Sequence, residues 1–329
     1  MRYYLRKLAF YLVAFWAALT LNFFLPRLMP GNPVDNLLLK LSQKGPVSPE
    51  TRQSVELMLG QDPSQSLWSA YVGYIGQVFS GDFGPSLAYF PTPVADVIGQ
   101  ALPWTIALVG VSTLLSFVFG IILGTLAGWK RGSWLDSFIP VTTMFQAIPY
   151  FWLAIILLFF LAATWRVFPT FGGYDIYATQ PELSWTFVSS AVYYAILPAL
   201  TIIISSIGGW ILGMRNMMVA TLSEDYIVTA EAKGLSPVRI RQSYAARNAM
   251  LPSVAGFALS LGFVVSGSIV TEQVFSYPGI GYALLQATQN NDYSLMQGLF
   301  LVITLAVLGA NLLVDLFYGL IDPRTRSAR

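Results

Sequence analysis

The segment Val219-Ala-Thr-Leu-Ser-Glu-Asp-Tyr-Ile-Val-Thr-Ala-Glu-Ala-Lys-Gly234-Leu-Ser-Pro-Val-Arg-Ile-Arg-Gln-Ser-Tyr-Ala-Ala-Arg-Asn-Ala-Met-Leu251-Pro252 separates two long apolar runs. Its local chemistry spells helix, break, helix. Ser223 is placed to cap a helix, with Glu224 and Asp225 favourable to the positive end of its dipole. Gly234 suits a C-terminal stop, and Ser236 followed by Pro237 restarts a helix, Ser as cap and Pro at the first helical position. Ala230 and Ala232, small and close to Gly234, give a surface on which the groove of another protein could approach the backbone. Arg239, Arg241 and Arg247 behind it would face phospholipid headgroups or an acidic partner, or simply mark the inner side of a membrane.

Outward from this segment, the chain is built for lipid. Of 329 residues 55% are hydrophobic and 10% charged. A soluble domain carries about 25% charged residues. Six apolar stretches approach the roughly 20 residues needed to span a bilayer, near 8–25, 102–128, 134–163, 187–218, 251–271 and 296–320. The expected fold is therefore an all-α polytopic membrane protein with six transmembrane helices. Pro140 and Pro149 predict a kink in the third. Gly120, Gly124 and Gly128 repeat every four residues along the second and form a smooth packing face, whose neighbour lies either in this chain or in a partner half.

Basic residues set the expected orientation. Arg2, Arg6, Lys7, Lys130, Arg131, Arg215, Lys233, Arg239, Arg241, Arg247, Arg324, Arg326 and Arg329 make 13 of the 18 Lys and Arg, all in segments that share one side if six spans alternate. The positive-inside rule puts that side, and both termini, in the cytosol. Trp129 and Trp134 bracket the short inner loop, while Trp104, Trp165 and Trp185 lie near outer ends. Arg2, Arg6 and Lys7 before an apolar run resemble a signal peptide. The run is long and Pro26-Arg27-Leu28-Met29-Pro30 offers no small-residue cleavage site, so a retained first helix (1–25) is expected. Residues 26–101 form an extracytoplasmic insertion rich in turn formers, either a lid or docking surface or an irregular loop packed on the pore mouth. The core is expected at 102–320 with its inner loop at 219–250, and a cytosolic tail at 321–329.

The chain has no Cys and no His. Thiol catalysis, thiolate or imidazole metal sites and imidazole-based triads are excluded. A phosphate-cradling Walker A loop needs Gly-Lys followed by Ser or Thr. The five lysines, Lys7, Lys40, Lys44, Lys130 and Lys233, follow Arg, Leu, Gln, Trp and Ala. Any ATP that drives this protein is bound by another polypeptide. Glu272, at the end of the fifth stretch, is either a gate or substrate contact or a structural cap; with Pro278 and Gly279 it forms a candidate outer gate. Asp136 and Asp315 sit near inner helix ends as interfacial anchors. Gln146, Tyr150, Ser205, Ser206 and Asn216 would line a translocation path or satisfy helix–helix contacts.

Tyr226-Ile-Val-Thr-Ala-Glu-Ala-Lys-Gly-Leu-Ser-Pro237 resembles the EAA loop of the membrane subunits of binding-protein-dependent ABC importers, in their dipeptide/oligopeptide permease branch. So do, in order, Leu28-Met-Pro-Gly-Asn-Pro33 (with Asn32 where Asp is usual), Gly81-Asp-Phe-Gly84 with Ser86, Glu272-Gln-Val-Phe-Ser-Tyr-Pro-Gly-Ile-Gly281 and Ile321-Asp-Pro-Arg324. The Glu that names the loop falls at Val228, whereas Gly234 is kept. The resemblance implies a type I importer fold with the last five helices as core. It also implies a coupling helix at Thr229, Ala230, Glu231, Ala232, Lys233, Gly234 and Leu235, seated in a nucleotide-binding subunit. Its implied partners are a second homologous permease subunit, two cytosolic ATPases carrying ATP and Mg, an extracytoplasmic solute-binding protein and the bacterial inner-membrane bilayer, with no nucleic acid. No cofactor and no catalysis are expected of this chain. The branch implies a peptide substrate, with oligosaccharide and nickel as alternatives. A secondary transporter lacks support, since neither intramembrane carboxylates for coupling ions nor an inverted repeat is visible. A membrane enzyme would need a carboxylate pair or a Ser–Lys dyad, and no Lys lies in the six stretches.

Overall fold

The computed structural model describes residues 2–42, 48–58, 66–264 and 269–321. Among the described residues every regular element is helical, and the only paired extended backbone is an isolated bridge between Pro85 and Pro93. The expected tail motif beyond Ile321, and Lys44, Pro46 and Pro63 of the insertion, lie outside the described residues, as does the side chain of Asp315.

Four described helices are long and apolar enough to cross a membrane: Arg6–Arg27, Val94–Trp129, Trp185–Thr221 and Tyr293–Leu312. At 1.5 Å per residue the 37-residue Trp185–Thr221 helix is about 55 Å long, well beyond a hydrocarbon core of about 30 Å. The expected third span is not one rod. Trp134–Ala147 and Tyr150–Thr164 meet at 96°. The break falls at Ile148 and Pro149, which leave the helical region (ψ 128° and 126°). Proline disfavours helical backbone in the residue before it, which accounts for Ile148. Pro140 stays within its helix. The fifth stretch begins as the 14-residue helix Leu251–Val264. The expected count of six is compatible with this set.

Two boundaries differ from expectation. The insertion at 26–101 is not an irregular loop: it contains the helices Pro33–Ser42, Pro49–Met58 and Leu67–Ser80. The next helix begins at Val94, not at 102, because Val94, Val97, Ile98 and Ala101 repeat at helical spacing and are buried. The polar residues between them disguised that periodicity in the sequence.

The chain divides into two compact units. The first comprises Met1–Thr105, Val265–Ile269 and Pro278–Leu312. Its core joins Leu19 and Phe23 of the first helix to Tyr74, Val94, Ile98, Ile280, Ala283, Leu295 and Leu299. The second comprises Ile106–Val264, Val270–Tyr277 and Leu313–Arg329. It is organised by one seam. A Cβ added at Gly120 would lie 2.3 Å from Trp210 Cβ, at Gly124 2.6 Å from the Ile211 carbonyl oxygen, and at Gly128 2.5 Å from Met218 Cβ. The glycine face therefore packs on the Trp185–Thr221 helix of the same chain, which answers the question the sequence left open. Ser116 and Ser206 share a hydrogen bond of 2.8 Å in the same seam.

Replacing Gly124 by Ala forces the two backbones apart and is expected to cost about 1–3 kcal/mol. At Gly213, where an added Cβ meets nothing within 4 Å, Ala should instead be neutral or stabilising by up to about 1 kcal/mol. Thermal unfolding of the two variants in detergent checks the contrast; equal midpoints would remove the seam from the account.

Candidate functional site

The inner segment is built from its caps inward. Ser223 is not the N-cap expected: its hydroxyl donates back to Ala220 O (2.7 Å), finishing the preceding helix. The residue with extended backbone at the start of the Asp225–Ala232 helix is Glu224 (φ −80°, ψ 143°). The preceding helix runs on to Thr221 and uses Ser223 for its own last carbonyls, so the cap shifts by one. The stop is as expected. Gly234 has φ +71°, its N–H donates to Glu231 O (2.8 Å), and Leu235 N–H donates to Ala230 O (3.3 Å). This pair of bonds is a Schellman motif, with glycine in the left-handed region that other residues enter at a cost. Ser236 then caps the restart, accepting from Arg239 N–H at 3.4 Å, with Pro237 at the first position.

One face of this short helix is anchored. Ile227 and Ala230 (each 2% exposed) pack with Met214 and Met218 of the long helix and with Ile240, Ala245 and Ala249 of the returning segment. Leu235 is half-buried against the same cluster. Thr229, Glu231, Ala232, Lys233 and Gly234 are exposed, as are Tyr226 and Val228. Of the seven residues expected to engage a partner, Ala230 thus points into its own subunit. Helical spacing could have separated it: Ile227 and Ala230 are three apart and share a face. Asn248 Nδ2 donates to Tyr226 Oη (3.0 Å) and fastens the returning segment to this helix.

The foot of the long helix is fixed by charge. Arg215 Nε donates to Asp136 Oδ1 at 2.9 Å, Gly132 N–H donates to Asp136 Oδ2 at 2.9 Å, and Arg131 donates to Val219 O at 3.2 Å. Asp136 is thus a partner of Arg215 and not merely an interfacial anchor.

The three candidate gate residues are divided between the two units. Glu272 lies in the Ile269–Val274 helix of the second unit, fully buried, and its carbonyl accepts from Tyr277 N–H (2.8 Å). Phe275 O accepts from Gly172 N–H (2.9 Å), and Ser276 has φ +46°. Burial, then the Glu272 carboxylate, pushes the Tyr277 phenol well above its usual pKa. Pro278 and Gly279 belong to the first unit, where Gly279 opens the Ile280–Gln289 helix and Thr105 Oγ1 accepts from Ile280 N–H at 2.8 Å. Of the candidate path residues, Ser206 bonds Ser116, Ser205 bonds the Ile202 carbonyl, and Asn216 accepts from Arg215. Only the first of these joins two helices; the Ser205 bond lies within its own helix and the Asn216 bond is to its neighbour, while Gln146 and Tyr150 are exposed. Among the described residues no group of carboxylates converges in a way that could hold a metal.

Asp292 escaped the sequence reading. It is fully buried, accepting from Ser86 Oγ (2.5 Å) and Ala88 N–H (3.0 Å) through one oxygen and from Leu295 N–H (3.0 Å) through the other. It caps the last helix and ties to it the motif around Gly84 and Ser86. An Asp immediately before an apolar run was the available signal.

The described residues thus hold four helices long and apolar enough to cross a membrane, and a short helix exposed along one face. Residues 120–327 match the family described as binding-protein-dependent transport system inner membrane component, and the chain belongs to that family. It is 33% identical, over 98% of either chain, to the di/tripeptide transport system permease protein DppB of Pseudomonas aeruginosa. It is 31% identical, over 99% of either chain, to the dipeptide transport system permease protein DppB of Escherichia coli K12. It is also 31% identical, over 92% of either chain, to the oligopeptide transport system permease protein AppB of Bacillus subtilis. The chain is a transmembrane permease subunit of the ATP-binding-cassette importer class, in the dipeptide/oligopeptide branch.

Asp292→Ala leaves three donors without their charged acceptor and is expected to cost about 3 kcal/mol or more, with Ser86→Ala costing about half as much. Unfolding midpoints of the purified variants, read against the parent protein, measure both.

Proposed function

We propose that this permease subunit forms half of an importer pore for short peptides, and that its inner lever receives the stroke of a separate ATPase. The observation that carries the lever assignment is the division of the Asp225–Ala232 turn into an anchored face (Ile227, Ala230) and an exposed one running through Thr229, Glu231, Ala232, Lys233 and Gly234. The exposed face enters a groove of the nucleotide-binding subunit. Leu235 and Ala230 transmit the load to Met214 and Met218.

A push on the lever moves the Trp185–Thr221 helix, and the glycine seam obliges the Val111–Trp129 helix to follow, since neither backbone can slide past the other without opening a void. Closure of two such ATPases on two such levers would tilt the pore halves between inward- and outward-facing states. Support for peptide as the solute comes from the relatives named for di/tripeptide, dipeptide and oligopeptide transport. The partners of this reading are a second, homologous permease subunit, two ATPases holding ATP and Mg, and an extracytoplasmic binding protein. The membrane is the bacterial cytoplasmic membrane with both termini inside, as the distribution of Lys and Arg supports. Glu272 acts here as a buried support within its own unit, and Pro278 and Gly279 as the start of the Ile280–Gln289 helix.

Gly234 has open space around it and a left-handed backbone, so its substitution acts through conformation and not through collision within the chain. Gly234→Asn, which tolerates that region, should keep most uptake. Gly234→Val should lose it, while both proteins reach the membrane. Ala232→Trp should block docking of the ATPase with the subunit still folded. Peptide uptake and ATPase co-purification read all three; full uptake by the Ala232→Trp variant would sink the lever assignment.

A further inference from the structure

The Leu67–Ser80 helix sits in the insertion that the sequence places outside the membrane, yet it carries no charged residue among its 14. Ser66 caps its start by accepting from Ser69 N–H (3.2 Å), and Gly81 ends it in the left-handed region (φ 72°). Around its axis the helix divides into three arcs. Ala70, Tyr71, Tyr74 and Val78 pack on the first unit's core. Trp68 (73% exposed), Val72 (54%) and Phe79 (79%) are bare and lie within about 40° of one another at 100° per residue. Ser69, Gly73, Gly76, Gln77 and Ser80 are exposed on the remaining side.

The depth of this helix follows from its contacts with the first span. Tyr71 Oη and Thr20 Oγ1 share a hydrogen bond of 2.9 Å, and the Tyr71 and Tyr74 rings lie 5.2 and 5.7 Å from Phe23. Thr20 is seven residues before Arg27, which closes the span, and so lies about 10 Å below its end. Beside it the span bares Trp16, Leu21, Phe24 and Leu25. Rings run without a break from Trp68 through Tyr71 and Phe23 to Phe24, at 5.9, 5.2 and 5.1 Å.

We propose that the Leu67–Ser80 helix is a lipid-binding element that dips into the leaflet at the Arg27 end of the first span, with Trp68, Val72 and Phe79 in the acyl chains and Gln77 facing water. Gln77 lies about 140–180° around the axis from the three bare residues, and an apolar side with a polar residue opposite and Trp at the boundary suits a helix lying in a bilayer interface. Ring contacts link Trp68 through Tyr71 and Phe23 to Phe24 on the bared side of the first span, which argues for lipid as the occupant. The inference goes beyond the transport role and depends on the first helix being a membrane span, not on the lever or the solute.

This chain has no cysteine, so with partner subunits made cysteine-free each introduced thiol is the single labelling site. Trp68→Cys, Phe79→Cys and Gln77→Cys are each labelled with a nitrobenzoxadiazole probe in the complete transporter, reconstituted in phosphatidylethanolamine/phosphatidylglycerol vesicles. Probes at 68 and 79 should emit at shorter wavelength, be quenched by lipids bearing a nitroxide near the headgroup end of the acyl chain, and resist aqueous iodide. The probe at 77 should show the reverse. Iodide quenching at 68 and 79 overturns the proposal in favour of a water-exposed helix. Protection there from both quenchers overturns it in favour of a protein partner.

Discussion

Met214 and Met218 are the joint on which the second unit depends. Their Cβ atoms stand where Cβ atoms of Gly124 and Gly128 would otherwise be, and both methionines belong to the cluster that holds Ile227 and Ala230 of the inner lever. In lipid there is no hydrophobic force to press two helices together, so association relies on close van der Waals approach and a few interhelical hydrogen bonds. The glycine seam supplies the first and the Ser116–Ser206 bond the second. One pair of side chains thus touches both the seam and the inner helix Asp225–Ala232.

The first unit is held differently. Its key polar contacts satisfy helix starts: Asp292 serves the last helix while gripping Ser86 and Ala88, and Thr105 serves Ile280. The first backbone N–H groups of a helix have no partner within it, and in an apolar setting each must find one. Here the partners come from distant segments, so each cap also fixes tertiary position. The motif around Gly84 and Ser86 therefore reads as a structural clasp between an insertion and the last helix.

The sequence made the helical class, the glycine face and the stop at Gly234 legible, because each rests on local rules: length of apolar run, four-residue spacing, backbone freedom. It hid what depends on distant partners. Ser223 looked like a cap, and only the extension of the preceding helix gave its hydroxyl other work. Ala230 and Ala232 looked equivalent as small residues, although the packing of Met214 and Met218 makes one internal and leaves the other exposed. The helices of the insertion were not read from the sequence, because they are short and its turn formers frequent. Glu272 and the pair Pro278 and Gly279, close in one motif, belong to different units.

The lever's construction explains how this chain can carry Val228 at the position that names its family's loop. Val228 is 59% exposed and lies outside the anchoring cluster. The turn is shaped instead by Gly234 and Leu235 N–H groups meeting the Glu231 and Ala230 carbonyls, and by Ile227 and Ala230 pressing inward. None of these uses a carboxylate at 228. Side-chain identity on the outer face is thus decoupled from the shape of the lever, whereas the left-handed residue at 234 is not: without it the two terminal bonds cannot both form, and the restart at Ser236 loses its direction. Residues on the exposed face can therefore vary without altering the packing beneath it.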